Sequence, residues 1–169
     1  TAFDLGAQTA QTINLNSAQQ QTLKFALGVE ILSGTANNSS DGKNRSFAPL
    51  YGTNHVHNGY MDYFFVGGRF DNSVGLNDIF AKVRYDHNKR WFVAADLHHF
   101  SANAKVYQAG QLQGSKLGLE TDLTGGCVFN EALSLQVGYS QMFAGSTLKY
   151  IQASSASNRQ NWIYAMFIV

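Results

Sequence analysis

His55 and His57 stand two apart, a spacing that turns both imidazoles to one side of an extended segment, as a metal site requires. No third ligand is positioned with them, and solvated turn residues account for the pair, so no metal is expected. A calcium role for Asp71, Asn72 and Asp78 is equally unsupported, because their spacing does not fit an EF-hand loop. His98, His99 and Ser101 offer a base and a hydroxyl. Neighbours on a strand face opposite ways, however, and no orienting acid, nucleophile elbow, phosphate loop or helical metal motif accompanies them. Neither an enzyme nor a cofactor is expected.

Charge alternation is more informative. Lys24, Glu30, Asp78, Lys82, Arg84, Asp96, Glu120 and Asp122 fall between apolar residues in segments of about ten residues, the length and period of a membrane-crossing strand. Asp4 and Lys116 belong to the same set, and His98 joins it with its side undecided. On a channel wall, Lys82 and Arg84 on one strand and Glu120 and Asp122 on another would set a field across the water-filled lumen. Pairing between neighbouring strands, which merely holds a wall in shape, is the plainer role and is compatible with the first.

The segment 34–74 opens with polar Asn37, Asn38, Ser39, Ser40 and Asp41 and continues with Tyr51, His55, His57, Tyr60, Asp62, Tyr63 and Phe64. Such rings can stack on sugar faces, and the Asp62 carboxylate can accept hydrogen bonds from hydroxyls. The second half of this loop is expected to fold into a pore as a constriction; an external cover over the mouth is the alternative.

Elements that could position these groups follow from the rhythm of the chain. Leu23, Phe25, Leu27, Val29 and Ile31 alternate with Lys24, Ala26, Gly28 and Glu30, and the pattern returns at 117–124 and 133–140. Strands are predicted near 2–12, 22–33, 75–86, 91–101, 116–128, 132–143 and 160–169. Links 13–21, 87–90 and 129–131 then lie at one end of a sheet, and the long segments 34–74, 102–115 and 144–159 at the other. This asymmetry is that of an outer-membrane barrel. Tyr85, Trp91, Phe92 and Phe129 are expected at one lipid-water boundary, and Phe100, Phe143 and Tyr150 at the other.

Composition agrees with an all-β antiparallel up-and-down transmembrane β-barrel. Charged residues are 14% of the 169-residue chain and aromatic residues 13%, with one proline and no apolar run long enough for a spanning helix. A net charge of +1 without a basic stripe excludes a nucleic-acid partner. Cys127 is the single cysteine, so no internal disulfide forms, and its place in the alternation makes it a small wall residue. An odd strand count would leave an open edge in lipid. Either His55–Val66 supplies an eighth strand, or the chain is the carboxyl-terminal part of a larger barrel whose upstream strands complete the wall; parity favours the latter.

Several phrases resemble the carboxyl-terminal part of the alginate-export-like porins of Bacteroidetes-type bacteria. They are FALGVEILSGT at 25–35, PLYGTNHVHNGYMDYFFVG at 49–67, VGLNDIFAKVRY at 74–85, LETDLTGG at 119–126, LSLQVGYSQMF at 133–143 and QNWIYAMFIV at 160–169. The resemblance implies an outer-membrane barrel of about eighteen strands, of which this chain is a sector of about seven or eight. It also implies passage of an anionic polysaccharide, for which a basic wall is expected; the wall read here is mixed and slightly acidic. The expectation is therefore a porin of the Gram-negative outer membrane, surrounded by lipid and passing polar solutes or saccharides. A structural or adhesive barrel whose long loops bind partners is the second reading, and a soluble ligand-binding β-barrel the third.

Overall fold

The computed structural model describes residues 1–48, 55, 57–64, 73–151 and 157–169. Its strands are β1 (Asp4–Asn16), β2 (Gln21–Leu32), β3 (Leu76–His87), β4 (Trp91–Ser101), the two-residue β5 (Tyr107–Gln108) and β6 (Gln111–Leu112), then β7 (Lys116–Asn130), β8 (Leu133–Ala144) and β9 (Arg159–Ile168). One short helix, α1 (Ser146–Ile151), precedes the last strand. Seven strands form a single sheet in the order β1-β2-β3-β4-β7-β8-β9, and β5 and β6 make a separate small hairpin. Every neighbouring pair is antiparallel. Among the described residues β1 and β9 are not paired with each other, so the sheet is an open wall.

Register shows how the alternation is used. Leu27 lies opposite Ala81, Ala81 opposite Leu97, Leu97 opposite Thr121, and Leu123 opposite Tyr139 and Ile163's partner row, so odd-numbered residues share one face from β1 to β9. The other face carries Ala26, Lys82, Asp96, Asp122, Ser140 and Trp162 in one row, and Gly28, Phe80, His98, Glu120, Met142 and Gln160 in the next. The odd face is aliphatic and open: Leu27 is 60% exposed, Ile79 58% and Ile163 76%. The even face buries Asp78 at 1%, His98 at 2% and Glu120 at 0%. Grease outside and charge inside is the reverse of a water-soluble fold and the pattern of a barrel wall.

Among the described residues the apolar core lies at the long-loop end. Leu32, Leu76, Phe100, Leu117, Met142 and Leu148 cluster there with Val74, Ala102 and Val106, joined by Phe47, Met61 and Phe64 from the first long loop. This cluster corrects two expectations. Phe100 is not a boundary aromatic: its even position puts it on the inner face, fully buried against Phe64 at 4.6 Å between ring centroids. Leu117 does not join the lipid-facing stripe, because the register slips between Phe100 and Ser101 where they pair with Gly118 and Lys116, and the extra residue turns into the core.

Other corrections concern element bounds. The link predicted over 13–21 is a turn over 17–20, since Ile13 and Leu15 continue the alternation and β1 runs to Asn16. Phe92 faces inward, beneath Arg84. Tyr150 is on α1, not at a strand end. Residues 55 and 57–64 contain no strand, which removes the eighth strand proposed over His55–Val66 as far as the described residues go.

The face assignment yields a direct check. Spin labels at Leu27 and Val137 in liposomes should collide with dissolved oxygen and be shielded from a water-soluble relaxant, with the opposite result for labels at Ala26 and Thr124. Leu27→Arg should destabilise the barrel by about 2–4 kcal/mol in denaturant titrations from bilayers, the cost of a cation near the lipid midplane.

Candidate functional site

The described part of the first long loop lies against the even-numbered face. Asn58 is buried there, its Nδ2 donating to Glu30 Oε2 on β2 at 2.6 Å and, more weakly, to Asp78 Oδ2 on β3 at 3.5 Å. Three residues on, the Met61 backbone N–H donates to Glu120 Oε1 on β7 at 2.9 Å. Between them Gly59 adopts φ +85°, and a Cβ there would come within 2.5 Å of the Glu120 carboxylate. Only glycine allows both the left-handed turn and this approach. The loop is thus fastened across β2, β3 and β7 by carboxylates that the strands turn inward.

Within the loop, His55 is the organising ring. Its backbone N–H donates to Asp62 Oδ1 at 2.8 Å, its Nδ1 lies 2.6 Å from the Tyr60 carbonyl oxygen and 3.0 Å from Asp62 Oδ2, and its ring stacks on Trp162 of β9 at 4.5 Å. With φ at +62°, His55 is in a tight turn and not on an extended segment, so it does not share a side with His57. His57 instead lines a cavity with Glu30, Asn58, Asp78 and His98. Among the described residues no three His, Cys, Asp or Glu side chains come together to hold a metal. Burial raises the Tyr60 and Tyr63 hydroxyls above their ordinary pKa, with nearby carboxylates adding to the effect, so both rings stay neutral donors. Tyr51, expected in the constriction, lies outside the described residues, as do Asp71 and Asn72.

The wall charges are sorted along the strands. Towards the short turns, Lys24 and Arg84 both reach Asp86, at 2.9 and 2.7 Å, and Lys82 reaches Asp96 at 2.9 Å. These pairs are partly exposed and contribute little stability each. Towards the loop, no Lys or Arg among the described residues pairs with Glu30, Asp78, Glu120 or Asp122. His98 settles on the inner face, its Nδ1 2.8 Å from Asp78 Oδ2, Asp122 lies beside the Ser140 hydroxyl and the Glu120 carboxyl, and among the described residues His98 Nε2 and Asn58 Oδ1 are buried with no hydrogen-bond partner. Lys116 opens β7 and is exposed.

All the wall residues singled out by alternation, Lys24, Glu30, Asp78, Lys82, Arg84, Asp96, His98, Glu120 and Asp122, therefore share one face, and His55, His57, Tyr60, Asp62 and Tyr63 belong to a loop folded over it. Sequence reasoning missed Asn58 and Trp162. The Asn58-Gly59 dipeptide signals a tight turn, and Trp162 has the even parity of the charged face; both clues were available.

A family model for alginate export matches residues 13–162, nearly the whole sheet. The chain belongs to the alginate export family. No curated protein matches the chain. Membership, together with the all-β sheet, supports a transport role, a β-barrel and a place in the outer membrane.

Gly59 is the most exacting position of the loop fastening. Gly59→Ala should cost about 1–2 kcal/mol in the left-handed turn alone and displace the Glu120 carboxylate from Met61. Limited proteolysis should then cut the 57–64 segment faster than in the parent, with the strands still resistant.

Proposed function

We propose that this chain forms part of the wall of an outer-membrane channel that passes polar solutes, saccharides among them, with the segment 55–64 as its constriction. The observation that carries the reading is the inversion of the two faces: an open aliphatic face for lipid and a charged face too polar for anything but water or solute. Such a wall needs further strands to cover the edges of β1 and β9, so upstream strands of the same barrel and outer-membrane lipid are its proposed partners. We place it with the porins of Gram-negative, Bacteroidetes-type bacteria on the strength of the phrases at 49–67 and 160–169.

Mechanistically, transport here needs no reacting group. Water fills the space against the even face, and the loop fastened to Glu30 and Glu120 narrows it. The paired Lys82–Asp96 and Arg84–Asp86 groups present compensated charge to a passing solute, while the acidic band nearer the loop disfavours a carboxylate. A polyuronate would meet its strongest resistance there. The reading does not include catalysis: His98 is held by Asp78, His99 points to the lipid side, and the Ser101 hydroxyl accepts from Asn77 at 3.4 Å.

Planar-bilayer recording of the full-length protein tests the reading. Stepwise openings are expected, and deletion of residues 49–66 should raise single-channel conductance at least about twofold if that segment sets the narrowest cross-section. A sealed bilayer would overturn the channel; unchanged conductance after the deletion would overturn the constriction alone.

A further inference from the structure

Every Asp and Glu within a described strand occupies an even position, so the open aliphatic face carries no strand carboxylate. Strand cations are divided between the faces. Lys24, Lys82 and Arg84 share the even face with the acids, whereas Lys116 and Arg159 do not. Arg159 opens β9 opposite Phe143, in the outward row Ile79, His99, Leu119, Phe143 and Arg159. Its guanidinium lies 5.9 Å from the centroid of the Phe143 ring. Lys116 reaches the same side through the bulge. Parity alone puts it in the lumen, but with Leu117 turned into the core Lys116 becomes the partner of Ser101, in the outward row Ile31, Asn77, Ser101 and Lys116. Gly145 packs so closely on the Lys116 carbonyl that a Cβ there would clash with it, which fixes the backbone from which this side chain springs. Both cations are exposed, and among the described residues neither has an ion pair.

These two rows mark where the outward face changes character. Further from the long loops it exposes Leu27, Leu97, Leu123, Val137 and Ile163. At the rows themselves stand an exposed imidazole, His99, the ammonium and the guanidinium. A chain of amides lies beside them, with Asn103 Nδ2 donating to Asn77 Oδ1 at 2.9 Å and Asn77 Nδ2 to Ser101 Oγ at 3.4 Å. The row that closes the same face at the turn end is His87, Trp91, Cys127, Leu135 and Phe167, without a lysine or arginine. Lys116 and Arg159 start two strands and two rows apart, about 10 Å across the sheet and about 7 Å along it, so their long side chains can meet around one headgroup. A cation at the edge of hydrocarbon, with no protein carboxylate on its face, takes its counter-ion from what lies alongside. A lipid phosphate is held at that height by its own acyl chains. Arginine meets two of its oxygens side by side, and lysine adds a point charge.

We propose that Lys116, Arg159 and His99 bind the phosphate of a lipid in the leaflet at the loop end of the wall, with its acyl chains on Leu119 and Phe143. On the channel reading this is the outer leaflet, and the proposal rests on that reading for its orientation. It concerns the lipid outside the wall and not the solute within it.

The test titrates full-length protein in detergent with diphosphoryl lipid A and with the same lipid stripped of its phosphates, counting bound lipid by native mass spectrometry. The phosphorylated form should bind more tightly. Lys116→Gln and Arg159→Gln should each raise its half-saturating concentration about five- to tenfold, and together bring it to that of the stripped lipid. A double variant in the turn between β3 and β4, Lys89→Gln with Arg90→Gln, should bind as the parent does, and the β-sheet circular dichroism of every variant should match the parent. Equal binding of the two lipids, an equal loss in the turn variant, or displacement by millimolar inorganic phosphate, which marks a site for free anions, would each overturn the proposal. Single-channel recording separates it from the channel reading. Conductance without phosphate-dependent lipid binding would overturn the lipid site and leave the channel; lipid binding that depends on Lys116 and Arg159 in a protein that gives no conductance would overturn the channel and support the site.

Discussion

Inside hydrocarbon a backbone amide finds no water, so every N–H and C=O must be met by another part of the protein. The rest of the molecule follows from that constraint. On the channel reading proposed above, the constraint is met by ladders between antiparallel strands of ten to fifteen residues. A ladder exposes side chains alternately to its two sides. The sequence uses this period of two to gather aliphatic side chains on one face and charged ones on the other, and the segregation persists through six successive strand pairings.

Folding one loop over the ionic side solves a problem that the segregation creates. Acidic groups gathered on one face repel one another, and Lys24, Lys82 and Arg84 of the wall are paired with Asp86 and Asp96 instead. The loop brings an amide from Asn58 and a backbone N–H from Met61 to those carboxylates. Wall and loop are therefore one electrostatic unit. The apolar cluster around Phe100 and Met142 seals the same end and lets the loop be held by packing as well as by hydrogen bonds.

Much of this was legible in the residues. Alternation alone assigned Lys24, Glu30, Lys82 and Glu120 to one face, because a strand leaves no other choice once Leu23–Ile31 meets lipid. It also placed short turns at 87–90 and 129–131, which the structure narrows to 88–90 and shifts to 131–132, where β7 runs on to Asn130. Alternation failed where the backbone stops being periodic. The bulge that turns Leu117 inward adds one residue on one strand, and nothing in the local pattern distinguishes Leu117 from Leu119. Phe100 was misplaced because aromatic residues near strand ends serve both lipid boundaries and loop cores, and only the partner ring of Phe64 decides between them. The path of the loop was not legible either, since it depends on Gly59 meeting a side chain sixty-one residues away in sequence, at Glu120.

The single-ended core also bears on how the protein can be re-engineered. Extracellular-type loops are the customary places to graft a peptide for display, but here the backbone after β2, the stretch after β4 and α1 all contribute to one shared cluster through Phe47, Val106 and Leu148. A graft into any of them disturbs the anchorage of the others. The tip of the β5–β6 hairpin at Ala109 and Gly110 stands apart: both residues already adopt positive φ and Gly110 has open space around it. That tip is where foreign sequence can be carried without loosening the seal.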